Sequence, residues 1–346
     1  MKRIGAQSPL AFPVLVIVPC LNEIEYIDRL MDAILLQIID TSSVLVVADG
    51  GSTDGTVARI QAAAERNPQV RYFHNDKRLQ SAAINAVIAE YGGYFEAFVR
   101  VDAHASYPDD FIGRLTQDAE RTEAASVTVS MKTVGTTAMQ QAIATAQNSA
   151  LGNGASDHRS ASAGGGKWVD HGHHALMRVV AFQRVGGYDE TFGHNEDAEL
   201  DFRLTRAGYR IWLTSGTVMT YYPRRTIRSL GRQYFGFGAG RARTILKHKI
   251  KPRLRQVLPA LLVPFSLPAV FFFLAWPLAL PFLTWLGLVA IGSLWVGRKT
   301  SETFSLSGAM RVFAAVATMH LAWSFGFCRS LVAYAFGHRD HNLLER

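Results

Sequence analysis

Two short stretches of the chain combine residue types that could do chemistry, and the first is Asp102-Ala103-His104. These residues follow the apolar run at 97–101, which reads as a buried strand. The carboxyl end of such a strand faces the crevice where α/β sheets bind ligands. An Asp and a His two residues apart can hold a hard divalent cation, which often serves a diphosphate. An Asx turn at the strand end would explain the Asp equally well.

The second stretch is a run of carboxylates, Glu196, Asp197, Glu199 and Asp201. Clustered carboxylates repel one another, so one member of such a cluster tends to have a raised pKa and to act as a base. The same residues can instead cap and solvate the start of a helix. An amphipathic helix follows and is predicted to end at Gly208.

A glycine-rich loop, Asp-Gly-Gly-Ser-Thr-Asp-Gly-Thr, occupies residues 49–56 after another apolar run. Glycines at a strand end let backbone amides approach an anion. The loop is neither a phosphate-binding P-loop nor a dinucleotide fingerprint. Asp49 could accept hydrogen bonds from a base or a ribose, while Thr53 and Asp54 could simply cap the next helix.

Alternating apolar runs and amphipathic segments predict how these residues are positioned. Strands are predicted at 14–18, 44–48, 70–74 and 97–101, and helices at 23–37, 56–66 and 81–90. Strand–helix alternation of this kind predicts an α/β domain with a mostly parallel sheet. Ligands should collect at the carboxyl ends of its strands, where the polar motifs fall.

Charge is distributed unevenly along the chain. Residues 1–223 contain 25 acidic and 19 basic residues, whereas residues 224–256 contain 11 basic residues and no acidic one. The high isoelectric point is therefore local. Because the basic block adjoins an apolar stretch, we expect it to mark the cytoplasmic side of a membrane, and we expect no nucleic acid partner.

The apolar stretch at 257–296 has no charged residue and is about twice as long as one membrane-spanning helix needs. It predicts a helical hairpin, about 257–275 and 278–296, with Pro277 and Pro281 near the break. A third apolar segment at 312–336 is interrupted by His320 and Arg329, so it could span the membrane or lie in the interface.

The cellular compartment can also be predicted from the sequence. Cys20 and Cys328 lie far apart, which disfavours a disulfide and fits a reducing compartment. Residues 1–13 lack the apolar core of a signal peptide, so export is not expected.

Taken together, the motifs resemble those of a family 2 glycosyltransferase of the GT-A fold over residues 13–240. The matching residues are Pro19-Cys20-Leu21-Asn22-Glu23, the loop from Asp49 to Thr56, Asn85, Asp102-Ala103-His104 and Glu196-Asp197. Within that family the chain is similar to bacterial exopolysaccharide enzymes of succinoglycan biosynthesis. The resemblance implies a GT-A catalytic domain at 1–240, a basic juxtamembrane segment at 241–256 and a membrane anchor at 257–346.

The resemblance also implies a donor site for a UDP-sugar. Its residues would be Pro19, Leu21, Asn22, Glu23, Asp49, Gly51, Asn85 and Asp102. Asp102 and His104 would hold Mg²⁺ or Mn²⁺ on the diphosphate. His104 stands where the family usually has a second Asp, and Gly50 replaces another Asp. A neutral imidazole should make metal affinity lower and more pH-dependent.

Asp197 matches the family's catalytic base, which implies inversion at the sugar carbon in a single displacement, with Glu196 orienting the site. The implied acceptor is a saccharide linked to polyprenyl diphosphate. His173 and His174 are expected to line its pocket; with His171 they could suggest zinc, but no cysteine joins them.

The basic block provides the residues expected to meet the lipid. Arg224, Arg241 and Arg243 are predicted to contact membrane lipid or the acceptor diphosphate, unless they serve only as a topological signal. The implied location is the bacterial inner membrane with a cytoplasmic catalytic domain. The oligomeric state is not predicted.

Three other functions compete with transfer of one sugar, for which the subgroup implies glucose in β linkage. A processive β-glycan synthase would carry Gln-x-x-Arg-Trp, whereas this chain has Gln233-Tyr234-Phe235-Gly236-Phe237. A polyprenyl-phosphate sugar synthase would transfer to a monophosphate. A UDP-binding scaffold would have no use for a base at Asp197.

Overall fold

The computed structural model describes residues 8–154, 165–252, 254–270, 272–300 and 305–337. The chain forms two compact units, each assembled from several segments. The first unit is Met1–Lys132, Ser160–Glu190 and Glu196–Tyr221; the second is Thr133–Arg159, Thr191–Asn195 and Tyr222–Arg346. The domain boundaries predicted after residues 240 and 256 stay predictions.

One mixed sheet organises the first unit. Its strands are β1 (Val14–Cys20), β2 (Val44–Asp49), β3 (Val70–His74), β4 (Ala97–Arg100), β5 (Ala105–Ser106), β6 (Ser126–Thr133), β7 (Lys167–Val169), β8 (His173–Arg178) and β9 (Ile211–Tyr221). The order is β3-β2-β1-β4-β8-β6-β9-β5, with β7 also on β9. The first four strands in that order pair in parallel, whereas β8 runs antiparallel to β4 and β6.

Helices connect the strands. In chain order they are α1 (Ile27–Ile38), α2 (Thr56–Arg66), α3 (Gln80–Tyr91), α4 (Phe111–Thr122), α5 (Ala138–Asn148), α6 (Ala150–Asn153), α7 (Val179–Arg184) and α8 (Glu196–Arg206). The predicted alternation of strands and helices is confirmed. The first helix begins at Ile27, later than predicted, and the preceding Glu23 and Ile24 amides donate to the side chains of Thr56 and Asp54.

Hydrophobic layers cover both faces of the sheet. Along β1, Val14, Val16 and Val18 face one layer, while Leu15 and Ile17 face the other. Strands buried on both faces have continuous apolar sequences, which is why the parallel strands could be predicted.

The second unit is helical. Its remaining helices are α9 (Ile227–His248), α10 (Leu254–Ala260), α11 (Leu262–Val270), α12 (Phe272–Thr300) and α13 (Leu306–Ala335). Ile143 and Ala146 of α5 are buried in one cluster with Leu230, Val289 and Val316. The insertion between β6 and β7 therefore shares a core with the C-terminal helices, which the sequence did not indicate.

Among the described residues, two helical stretches are long and apolar enough to cross a membrane, Ala279–Arg298 and Leu306–Ala335. The second covers the predicted third segment except for residue 336. The break predicted near the prolines is absent, because Pro277 and Pro281 both lie inside α12. Prolines are tolerated in apolar helices where neighbouring groups satisfy the freed backbone carbonyls.

Close packing between α9 and α13 depends on glycine. A Cβ added at Gly326 would overlap the Phe235 carbonyl oxygen, and one at Gly238 would overlap the Trp323 carbonyl oxygen. In contrast, a Cβ at Gly287 of α12 would meet no atom within 4 Å. These glycines therefore differ sharply in the space that surrounds them.

We expect Gly326→Ala to lower the free energy of unfolding by about 1–3 kcal/mol, because α9 and α13 must separate to admit a methyl group. Gly287→Ala is the matched control and should be neutral or slightly stabilising, because alanine favours helix over glycine. Thermal unfolding of both variants in detergent measures the difference. Equal melting temperatures would contradict the close contact.

Candidate active site

Two loops at the carboxyl ends of β1 and β2 are locked together. The Asn22 amide, with φ of +57°, donates to the Ser52 hydroxyl at 2.7 Å. In return, the Thr53 amide donates to Asn22 Oδ1 at 2.9 Å. Because the hydrogen bonds run both ways, the predicted donor residues from Pro19 to Glu23 share one surface with the glycine loop.

The Asp49 side chain holds the glycine loop through hydrogen bonds to its backbone. Its side chain is completely buried, and Oδ1 accepts hydrogen bonds from the Gly51 and Ser52 amides, each at 2.8 Å. Oδ2 accepts from the Ser52 hydroxyl and from Cys20 Sγ. Burial, with the Asp49 charge, raises the pKa of the Cys20 thiol, which keeps it protonated and able to donate.

The Asp49 carboxylate is fully buried and has hydrogen-bond donors at both oxygens, so it shapes the loop. That it also accepts a hydrogen bond from a nucleobase stays a prediction. Gly51 has φ of +86°, which favours glycine, and Leu21 is 43% exposed at the neighbouring loop. Exposed backbone and apolar groups at this loop are available to a ligand.

Asn85 lies on α3, and its amide group binds the loop that precedes α8. It donates to the Tyr188 carbonyl oxygen at 2.8 Å and accepts from the Tyr188 amide at 2.9 Å. It also donates to Glu190 at 3.0 Å. The side chain predicted to bind the donor thus holds the Tyr188 loop.

A buried arginine in β4 connects the two predicted chemical stretches. Arg100 is 6% exposed, and its Nε lies 3.4 Å from Asp102 Oδ1. Its Nη1 donates to Asp197 Oδ1 at 2.6 Å and lies 3.8 Å from Glu196 Oε1. Asp102 also accepts from Gln80 at 3.2 Å. One guanidinium therefore brings together the carboxylates from the end of β4 and the start of α8.

Asp197 and Glu196 are neighbours but have opposite electrostatic environments. Burial works to raise the pKa of Asp197, but the charges of Arg100 and His174 outweigh it and hold that pKa well below its usual range. Burial, followed by the Asp197 charge, raises the pKa of Glu196 to about 7. At neutral pH Asp197 is thus an anion, and Glu196 is close to half-protonated.

The three histidines occupy different environments. His174 is 2% exposed and lies between Asp197 and Asp201, and its place at an acceptor pocket stays a prediction. His173 Nε2 lies 3.5 Å from Asp102 Oδ2, and burial lowers the pKa of His173 to about 4. His171 Nδ1 lies 2.7 Å from Asp201 Oδ2 and is about one-third exposed, at 34%.

The residues predicted to hold a metal are oxygen and imidazole donors. His104 is 43% exposed, and its Nδ1 lies 3.2 Å from Glu23 Oε1. Asp102 faces Arg100, Gln80 and His173, as described above. Within the described residues, His, Cys, Asp and Glu side chains form no group of three or more that could hold a metal. The donor chemistry of Asp102 and His104 fits Mg²⁺ or Mn²⁺, but a ligand would have to complete the coordination.

Of the predicted lipid-contacting arginines, Arg243 has clear partners in the second unit. It donates to the Thr191 carbonyl oxygen at 2.6 Å and to the Thr191 hydroxyl at 3.1 Å. Its guanidinium lies 4.5 Å from the centre of the Phe192 ring. Arg224 is exposed and Arg241 is half-buried. Arg243 thus anchors a loop, while Arg224 lies at the surface.

Sequence reasoning missed Arg100, Tyr188 and Asp201. Arg100 carried a usable signal, because a charge inside an apolar strand must find a buried partner. Asp201 was noticed only as a member of a cluster. Tyr188 had no distinguishing pattern, because its role depends on a hydroxyl meeting three residues from other elements.

A mostly parallel sheet with a glycine loop at the end of β2, Asp-x-His after β4 and a partly buried acidic pair at the start of α8 is typical of a GT-A glycosyltransferase. The family profile described as Glycosyl transferase family 2 matches residues 15–186. The chain is 46% identical over 320 residues to "Succinoglycan biosynthesis protein ExoA" of Rhizobium meliloti (strain 1021), an alignment covering 92% of this chain and 95% of that protein. The chain belongs to glycosyltransferase family 2.

More distant relatives agree with the fold. "Dolichyl N-acetyl-alpha-D-glucosaminyl phosphate 3-beta-D-2,3-diacetamido-2,3-dideoxy-beta-D-glucuronosyltransferase" of Methanococcus voltae is 22% identical over 240 residues, covering 67% of this chain and 74% of that one. The structure of the mannosyltransferase PcManGT from Pyrobaculum calidifontis, in complex with GDP-Man and Mn²⁺, superposes with a TM-score of 0.54 at 17% identity. It covers 95% of this chain and 91% of that one. The GT-A fold predicted from the sequence is confirmed.

The two roles considered for Asn85 predict different behaviour. We expect Asn85→Ala to lower the free energy of unfolding by about 1–3 kcal/mol, because the buried groups around Tyr188 lose their partners. Affinity for UDP should change little. Thermal unfolding and calorimetric titration with UDP measure the two effects.

The control for this variant is Asn67→Ala, because Asn67 accepts only a local hydrogen bond from the Gln69 amide, at 2.9 Å. It should melt close to the wild type. An Asn85→Ala variant with wild-type melting and lost UDP affinity would reinstate Asn85 as a donor contact.

Proposed function

We propose that the chain transfers one sugar, with inversion, from a UDP-sugar to a saccharide linked to polyprenyl diphosphate in bacterial exopolysaccharide biosynthesis. The observation that carries this proposal is the Arg100 guanidinium, which joins Asp102 at one end of the site to Asp197 at the other. Asp102, the proposed metal ligand, and Asp197, the proposed catalytic base, thus contact the same cation. The relative active in succinoglycan biosynthesis supports the pathway class.

The donor half of the site would use the interlocked loops. Pro19, Leu21, Asn22, Glu23 and Gly51 lie on or beside their shared surface and would hold the uridine. Asp102 and His104 would hold Mg²⁺ or Mn²⁺, which offsets the charge that develops on the departing UDP. Because His104 is neutral when it binds a metal, donor affinity should depend on pH more than with two aspartates.

Asp197 is our proposed base. It would accept the proton of the acceptor hydroxyl while that oxygen attacks the anomeric carbon and the bond to UDP breaks, which inverts the configuration. The low pKa of Asp197 makes it a weak base but keeps it ionised across the physiological range. A weak base suffices when the proton leaves late, after the sugar carbon has drawn electron density from the oxygen.

Glu196 is suited to a second role. Its pKa near 7 means that it can donate or accept a hydrogen bond at neutral pH. We propose that it orients the acceptor hydroxyl toward Asp197. The same pKa would also suit a base, so Glu196 is the alternative to Asp197 that an experiment must separate.

The membrane-related half of the proposal rests on charge and hydropathy. The basic run at 224–256 precedes the two helices that are able to cross a membrane, an order typical of a cytoplasmic juxtamembrane segment. We propose that the enzyme resides in the bacterial inner membrane with its catalytic unit in the cytoplasm. Arg224 and Arg241 would attract anionic lipid or the acceptor diphosphate.

Single transfer is favoured over processive synthesis. Residues 233–237 lack the Arg-Trp pair associated with gripping a growing polymer, and two candidate spans are few for a translocation channel. We propose that the transferred sugar is glucose and that it is joined to the acceptor saccharide in β linkage. A polyprenyl monophosphate acceptor would instead require no saccharide site.

Transfer of radiolabel from a panel of UDP-sugars into the lipid extract of membranes tests the reaction. We expect label from UDP-glucose in a short lipid-linked saccharide, with Mg²⁺ or Mn²⁺ required and EDTA inhibitory. Label only in insoluble polymer would instead indicate a processive synthase. Label in a sugar attached to a lipid monophosphate would indicate a polyprenyl-phosphate sugar synthase. UDP binding without turnover would indicate a UDP-binding scaffold.

Asp197→Asn and Glu196→Gln separate the two carboxylates. We expect Asp197→Asn to lower kcat by about 100-fold or more with UDP affinity nearly unchanged, because general-base catalysis contributes about that much. Glu196→Gln should keep more activity and lose an ionisation near pH 7 from its rate profile. The reverse ranking would make Glu196 the base.

A further inference from the structure

We propose that His174 and Asp201 are positioning residues for Asp197: a buried imidazolium, anchored by a buried carboxylate, keeps Asp197 ionised and fixes its orientation. The inference rests on the proposed function, in which Asp197 is the base. It goes further, because neither His174 nor Asp201 has been given a part in the reaction.

The geometry around His174 places an acceptor at each ring nitrogen. His174 Nε2 lies 2.7 Å from Asp201 Oδ1, and Nδ1 lies 2.7 Å from the Tyr188 hydroxyl oxygen and 3.3 Å from Asp197 Oδ1. When the Tyr188 hydroxyl donates to Asp197 Oδ1, at 3.2 Å, its oxygen accepts from His174 Nδ1. Because a carboxylate faces each ring nitrogen, we assign a proton to both, which makes the ring an imidazolium.

The electrostatic balance agrees with this assignment. Burial alone would lower the pKa of His174, but Asp201, Tyr188 and Asp197 together raise it well above its usual range. A buried imidazolium with a carboxylate on each side is compensated, whereas a buried neutral ring would leave one of the two anions without a donor from the ring.

Asp201 is buried and is held by two groups from the segment before β8. It is completely buried, and its Oδ2 accepts from the Gly172 amide at 3.2 Å and faces His171 Nδ1 at 2.7 Å. These partners come from the segment before β8, so they fix Asp201 relative to the strand that carries His174. The orientation of His174 is thereby set from behind.

Helix geometry makes the pairing specific. Asp197 and Asp201 are four residues apart on α8 and therefore share one face of the helix. Two like charges at this spacing repel each other, and His174 lies between them, 3.3 Å from Asp197 Oδ1. The imidazolium thus converts a repulsive pair into a fixed arrangement that delivers Asp197 to the site.

Several other charged and titratable groups face Asp197. Arg100 faces it from β4, His173 and His174 from β8, and Tyr188 from the loop before α8. Glu196 adjoins it on α8. Arg100 and His174 are the charges that lower its pKa most. Removing the His174 charge leaves Arg100 as the main charge that opposes burial, so we expect the pKa of Asp197 to rise.

The first test compares Asp201→Asn and His174→Gln. Each removes the imidazolium by a different route, one by withdrawing its counter-anion and the other by replacing the ring. A base works when ionised, so activity is lost as pH falls through its pKa. We expect both variants to lower kcat and to move the acid limb of the kcat profile about 1 pH unit upward, with the donor KM unchanged.

Thr205→Val is the matched control on the same helix. The Thr205 hydroxyl donates to the Asp201 backbone carbonyl at 2.9 Å but does not touch the side chains of the network. It should retain the wild-type profile. Folded Asp201→Asn and His174→Gln variants, judged by UDP affinity, that also retain the wild-type profile would overturn the positioning role.

A measurement on the wild-type enzyme covers the case in which the variants do not fold. In ¹⁵N spectra of histidine-labelled enzyme bound to UDP, we expect one ring to keep both nitrogens protonated at mildly alkaline pH. The same spectrum of His171→Gln shows whether this signal comes from His171, the other histidine that faces Asp201. A His171→Gln spectrum without an imidazolium would refute the inference.

The two levels of the proposal can fail separately. An active Asp197→Asn variant would remove Asp197 as the base, whatever the spectra show. An inactive Asp197→Asn variant beside Asp201→Asn and His174→Gln variants with normal profiles would refute only the positioning role. The histidine spectra require UDP binding but no sugar transfer, so they do not depend on finding the acceptor.

Discussion

The buried guanidinium of Arg100 is the constraint on which the site depends. A cation that is 6% exposed inside an apolar strand is tolerable only if anions surround it. Asp102 and Asp197 supply those anions from the end of β4 and the start of α8, and Tyr188 adds a hydroxyl oxygen at 3.3 Å. The requirement to neutralise one charge therefore determines where both functional carboxylates lie.

His174, our proposed second cation, is likewise surrounded by anions. It shares Asp197 with Arg100 and Asp201 with His171. Glu196 lies 3.8 Å from Arg100, and burial, followed by the Asp197 charge, raises the pKa of Glu196 while that of its neighbour falls. Two adjacent carboxylates with separated pKa values can perform different tasks in one reaction.

The sequence predicted the parts of the structure that depend on local pattern. The parallel strands, the glycine loop and the positions of Asp102 and Asp197 follow from hydrophobic runs and residue order. The hydrogen-bond partners of individual side chains could not be predicted from the sequence. Asp49 and Asn85 match motif positions predicted to bind the donor, and in the structure they hydrogen-bond to loop backbone. Likewise, the insertion that carries α5 joins the C-terminal helices through long-range packing, which no local period reveals.

Helix rotation explains why an acidic pair could be recognised in the sequence without revealing which member is anchored. Successive residues on a helix point about 100° apart, because 3.6 residues complete a turn. Arg100 Nη1 and His174 Nδ1 lie 2.6 Å and 3.3 Å from Asp197 Oδ1, while Glu196, one residue earlier, lies 3.8 Å from Arg100 Nη1. The separation of the two pKa values therefore depends on which face of α8 meets Arg100 and His174, and His174 is in turn held by Asp201, four residues further along the same helix.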